Sequence, residues 1–77
     1  MRTVLHWRMK ITHDQSTDSL YIELRPLPAV RTSEVEEDVM LDIGADGQPV
    51  GYDIQHASAK NDFIARLILQ QEQAAAE

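Results

Sequence analysis

The 77-residue sequence contains no cysteine, which removes both a disulfide framework and a thiolate metal site. No apolar run approaches the ~18 residues a spanning helix needs, and Met1 to Leu5 does not have the makeup of a secretion signal. Glycine is scarce: its three copies are scattered at Gly44, Gly47 and Gly51, so no glycine-rich phosphate loop is present. Basic residues are few, with 7 Lys and Arg against 13 Asp and Glu and a formal charge of −6. Non-specific nucleic-acid binding depends on Lys and Arg displacing counterions from phosphates, so this balance argues against it. The expectation is a soluble cytoplasmic protein that binds neither membrane nor nucleic acid.

A domain of this size buries only about 60% of the surface its unfolded chain exposes. Self-association or a protein partner is therefore expected to add burial. The net charge suits a basic partner. Charge is unevenly spread, with Arg2, Arg8 and Lys10 near the start and Glu34, Glu36, Glu37, Asp38 and Asp42 together. That acidic run reads as a solvated connection between strands, with a recruiting patch as the alternative.

The strongest local signal is the stretch Val39 to Ile54, in which two alternating runs flank Asp46-Gly47. It predicts a β-hairpin with a two-residue type I′ turn. Ile43 would then face Val50, Leu41 face Tyr52 and Val39 face Ile54, making one face apolar while Met40, Asp42, Gly51 and Asp53 point the other way. A longer loop with Gly47 at a bulge would slip the pairing by one and turn every side chain over. The tight turn is the preferred prediction.

Residues 1 to 8 read as a leader or an extra edge strand, with Trp7 covering a sheet edge. Met9 to His13 and Leu20 to Leu24 alternate as two strands joined by a polar turn, and Pro26 and Pro28 end the second. Ala29 to Val35 is a weak extended segment. Ser58, with Asn61 as second choice, is the predicted N-cap of a C-terminal helix whose face is Phe63, Ile64, Leu67 and Ile68. The predicted fold is α+β. An antiparallel sheet of about four strands, in two consecutive hairpins, carries one helix on its apolar face, and residues 9–77 make a single domain.

The ordered motifs Met9-Lys10-Ile11-Thr12-His13-Asp14, Asp18-Ser19-Leu20-Tyr21-Ile22, Val39-Met40-Leu41-Asp42-Ile43, Asp46-Gly47 through Ile54, and Ala57-Ser58 resemble the small prokaryotic family called domain of unknown function 2283. The likeness covers about residues 9 to 60. The leader before Met9 and the helix after Lys60 depart from the pattern, which makes Met9 an alternative start. The resemblance brings no assigned activity and no catalytic residue. It implies an antitoxin-like or partner-binding role, because some members are encoded beside small toxin-like proteins.

Chemistry-bearing constellations are sparse. His6, His13 and His56 with a carboxylate could close a zinc site, but no pair has the i, i+4 spacing of one helix face. Asp14-x-Ser16-x-Asp18 imitates the opening of a calcium loop, yet Ser19 stands where glycine is needed and Arg25 where the bidentate Glu belongs. Asp14 and Asp18 read instead as acceptors for turn amides. Asp42 and Asp53 are expected as diagonal neighbours on the outer face, with Glu23 sharing it. Paired carboxylates divide acid and base work only where a cleft separates their pKa values; solvated residues on the wet face are the plainer account. Gly51 between them leaves room for a neighbouring side chain. The serines, Ser16, Ser19, Ser33 and Ser58, stand in no nucleophile elbow. No catalytic, cofactor or metal residue is assigned, and the candidate surface or ligand residues are Glu23, Asp42, Asp53, His13 and His56. The expected role is a non-catalytic interaction module for a small basic protein. A small enzyme or ligand-binding protein with a site between subunits is the alternative, and a metal-binding domain the third.

Overall fold

A computed structural model describes residues 2–6 and 9–76. Six strands, β1 (Arg2–His6), β2 (Met9–Asp14), β3 (Ser19–Glu23), β4 (Arg31–Glu36), β5 (Val39–Ile43) and β6 (Pro49–Ile54), precede a 3₁₀ turn (Ala57–Ala59) and one helix, α1 (Asn61–Ala76). The strands form a single antiparallel sheet in the order β1-β2-β3-β6-β5-β4. The α+β class and the single C-terminal helix match the sequence reading. The strand count does not: two edge strands flank the four at the centre. β4 was legible only as a weak extended segment because all six of its residues are exposed. Its ladder to β5 forms it, not an apolar stripe. Trp7 and its proposed role as a cover lie outside the described residues.

The two hairpins meet through β3 and β6, where Leu20 faces Ile54 and Ile22 faces Tyr52. The chain leaves β3 through Pro26 and Pro28 and crosses to the far edge before returning as β5 and β6. Proline suits that crossing because it has no N–H to leave unpaired there.

The central hairpin corrects the turn prediction while keeping most of its register. Gly47 N–H donates to Gly44 O at 3.0 Å and Gly44 N–H to Gln48 O at 2.9 Å. Gly47 sits at φ +79°, so the loop is the longer one closed by a left-handed glycine. Near the loop the pairing is slipped by one, with Ile43 opposite Pro49. A bulge at Val50 absorbs the slip, and Leu41 still faces Tyr52 and Val39 still faces Ile54. The bulge lets a comfortable loop coexist with an undisturbed apolar face.

That face is the core. Met9, Ile22, Val39, Ile54, Ala57 and Leu67 form the buried cluster, and Ile11, Leu20, Leu24, Tyr52, Phe63, Ile64 and Ile68 pack against it. Ile43 and Val50 are also buried, whereas the expected core residue Leu41 is half-buried. Phe63 meets Tyr52 edge-on with ring centroids 6.1 Å apart, an arrangement that adds to their area burial.

The helix start also differs from expectation. Lys60 O accepts the first helical bond, from Ile64 N–H at 3.0 Å, so Ser58 does not cap it. Ser58 instead donates its hydroxyl to Asp18 Oδ2 at 2.7 Å and its N–H to Asp18 Oδ1 at 3.2 Å. Asp18 O also accepts from Ala57 N–H at 2.9 Å. The β2–β3 turn thereby fixes where the chain leaves the sheet, and with it the approach of α1. Asp62 lies in the first turn of α1, where the helix dipole favours negative charge.

Candidate functional site

The sheet divides the candidate residues between its two sides. Register places Tyr21 opposite Asp53, Asp53 opposite Met40, and Gly51 between Glu23 and Asp42. These residues occupy the face away from α1. Asp42 and Asp53 are thus diagonal neighbours, with Glu23 beside them.

Tyr21 organises this face. Its ring lies across Gly51, where an added Cβ would overlap the phenol oxygen, and its hydroxyl donates to Asp42 Oδ2 at 2.9 Å. Thr32 Oγ1 donates to the other carboxylate oxygen at 2.9 Å. Asp42 is therefore held from both sides by neutral donors on β3 and β4. Asp53 accepts from Gln55 Nε2 at 2.9 Å. Partial burial, the hydrogen bond to Asp42 and the nearby charges of Asp42, Glu23 and Asp53 push the Tyr21 phenol up to about 12. Each favours the neutral phenol, since ionising it would add negative charge to an already negative face. Gly51 is the clue sequence could offer: a glycine inside an alternating strand marks a close approach by something else.

His13 lies on the helix-bearing side, lining a cleft of about 450 Å³ with Ile11, Asp18, Leu20, Ser58, Asn61 and Ile64, among others. The Asp18 carboxyl is held below its ordinary value, first by the Ser58 hydroxyl, with smaller help from the charges of His13 and His56. Because the Ser58 hydroxyl is committed to Asp18, this cluster lacks the serine-to-imidazole bond of a nucleophilic relay. His56 follows β6 at φ 53°, with Nδ1 3.0 Å from Asp38 Oδ2. The five candidates therefore form three separate places in one copy of the chain.

Asp14 accepts from Ser16 Oγ at 2.6 Å and from Ser16 N–H at 3.1 Å, which closes the turn resembling a calcium loop. Those bonds lower the Asp14 carboxyl's pKa. Among the described residues no group of three or more His, Cys, Asp or Glu is placed to hold a metal ion. No described helix is long and apolar enough to cross a membrane.

A family model described as a protein of unknown function (DUF2283) matches residues 10–58. The chain belongs to this family. The match bears out the resemblance drawn from the ordered motifs. No curated protein and no solved structure matches the chain. The DUF2283 segment runs from β2 to the Asp18–Ser58 contact and holds all five candidate residues, while β1 and α1 lie outside it.

Proposed function

We propose that this DUF2283 protein is a non-catalytic interaction module whose open acidic face receives a small basic protein. The observation that carries this reading is Tyr21 fixed over Gly51 and bonded to Asp42, with Glu23 and Asp53 alongside. An aromatic ring anchored among carboxylates offers a flat contact for aliphatic stems and charge partners for Lys or Arg heads. Asp42 accepts hydroxyl donors on both carboxylate oxygens, and the phenol is held neutral. In the antitoxin-like form of this role, the partner is a growth-slowing protein that the chain neutralises.

The test is capture of partners from the source cells, followed by titration of any purified partner against the wild type and a Glu23→Gln, Asp42→Asn, Asp53→Asn variant. A net-positive partner whose affinity falls at least about tenfold in the variant, and falls with salt, is the expected result. Binding that is indifferent to all three substitutions would overturn the assignment. For the antitoxin-like form, co-expression should restore growth with the wild type and fail with the variant.

A second reading, a small ligand-binding protein, is favoured by the cleft beside His13. Its apolar floor (Ile11, Leu20, Ile64) meets polar groups of Asp18, Ser58 and Asn61, the mixed lining typical of small-molecule sites. A fragment screen read by methyl resonances would separate the two readings: shifts confined to Ile11, Leu20 and Ile64 favour the cleft.

A further inference from the structure

The sheet order ends at β4, and an edge strand presents a row of main-chain donors and acceptors to whatever approaches. All six β4 residues are exposed. Val30, just before the strand, and Val35, within it, are 62% and 46% exposed. Leu69, on α1, is 54% exposed.

The strand is also polar in the electrical sense. Arg31 opens it and Glu36 closes it. In a regular strand residues five apart point to opposite faces. Here the register shifts between Glu34 and Glu36, so Arg31 stands opposite Ile43 and Glu36 opposite Val39. Ile43 and Val39 both belong to the buried row of β5, which places Arg31 and Glu36 together on the helix-bearing face. Glu36 reaches Lys60 at 3.1 Å, whereas Arg31 has no side-chain partner among the described residues.

We infer that β4 is a self-pairing edge: two copies join antiparallel through it, about a two-fold axis perpendicular to the sheet. Such an axis keeps both helices on one side and makes every contact occur twice. Centred on Ser33, it sets Thr32 opposite Glu34 of the second copy. Arg31 then arrives beside the Val35–Glu36 bulge of the second copy, on the same face. Two Arg31–Glu36 attractions result, and the bulge is what makes them possible. Parallel pairing would oppose like with like. The pairing is independent of the acidic outer face, though it would set two such faces side by side.

Sedimentation of the full chain over a wide concentration range tests this. The wild type should dimerise, and Arg31→Glu should weaken the dimer on the order of tenfold or more, since two attractions become repulsions. Glu36→Lys combined with Lys60→Glu reverses the other end while preserving the bond within the chain, and should weaken self-association likewise. Mixed one to one, the two variants should form a heterodimer, because every juxtaposition across the axis is again opposite in sign. A wild type that stays monomeric at millimolar concentration overturns the inference. So does an Arg31→Glu chain that dimerises unchanged, or a mixture that fails to associate.

Discussion

Arg25 grips Asp46 through both carboxylate oxygens, at 2.7 and 3.0 Å, while its Nε and Nη2 donate to Pro49 O and Gln48 O, each at 3.0 Å. One side chain just beyond β3 thus fastens the tip of the hairpin two strands later in sequence. A planar guanidinium can do this; a lysine ammonium has no matching fork.

Loosening that clamp should be visible in acid. The Arg25 hydrogen bonds, with Gln48 N–H, hold the Asp46 carboxyl at about 2 against an ordinary 3.8. A depressed carboxylate contributes stability that is present above the unfolded value and is lost as pH falls through the folded one. The contribution should therefore disappear between about pH 3.8 and 2. Denaturant midpoints of wild type and Arg25→Ala across that window are the measurement. The wild type should be the more stable at neutral pH, and the gap should close towards pH 2. A constant gap would deny the clamp its electrostatic part.

Tyr21 titrates at the other end of the scale. Its phenol is raised from 10.0 to about 12, so the linked stability is intact below pH 10 and is lost as pH climbs through 12. In a Tyr52→Phe background Tyr21 is the sole tyrosine, and its ultraviolet tyrosinate signal should appear near pH 12. Adding Asp42→Asn should bring that midpoint down from about 12 without abolishing the rise due to burial, because the carboxylate charge is lost and its acceptor becomes a neutral amide.

How much of this could be read from the chain depends on whether burial or pairing made each element. Met9 to Asp14, Ser19 to Glu23, Val39 to Ile43 and Pro49 to Ile54 advertise themselves because alternate residues enter the core. The helix face Phe63, Ile64, Leu67 and Ile68 does so for the same reason. β4 advertises nothing, since hydrogen bonds to β5 do not select side chains and none of its residues is buried. The turn failed differently. Asp46-Gly47 suits a left-handed glycine in either loop, and the compensating bulge at Val50 lies outside the turn itself. The outer-face placement of Asp42 and Asp53 followed from period two alone. The bonds from Asp18 to Ser58 and from Arg25 to Asp46 join residues 40 and 21 positions apart, beyond any local pattern.

Gly51 offers a direct probe of the outer face. A methyl there would overlap the Tyr21 phenol and come within 3.0 Å of Ile22 O. Gly51→Ala should therefore push the ring off the sheet, break the bond to Asp42 and cost about 1–3 kcal/mol, the usual penalty for overpacking. Combined with Tyr21→Ala, which removes the obstacle, the loss should be clearly less than the sum of the two single losses. Strict additivity in denaturant unfolding would mean that the ring does not lie over Gly51.

The helix supplies the last prediction, since its neighbouring leucines have opposite fates. Leu67 is 5% exposed within the cluster formed with Met9, Ile22, Val39, Ile54 and Ala57, whereas Leu69 is 54% exposed. Both substitutions to alanine remove the same atoms and change helix propensity little, so their difference isolates docking against the sheet. Leu67→Ala should cost roughly 2–5 kcal/mol, as core truncations do, and Leu69→Ala should stay within about 0.5 kcal/mol of wild type. In a domain this small the first loss is a large share of the total stability. Thermal unfolding followed by far-ultraviolet circular dichroism should show a much lower midpoint for Leu67→Ala, with strands and helix melting together because the buried cluster joins them. Equal effects at the two positions, or a helix that melts while the strands persist, would mean that α1 does not cover the sheet.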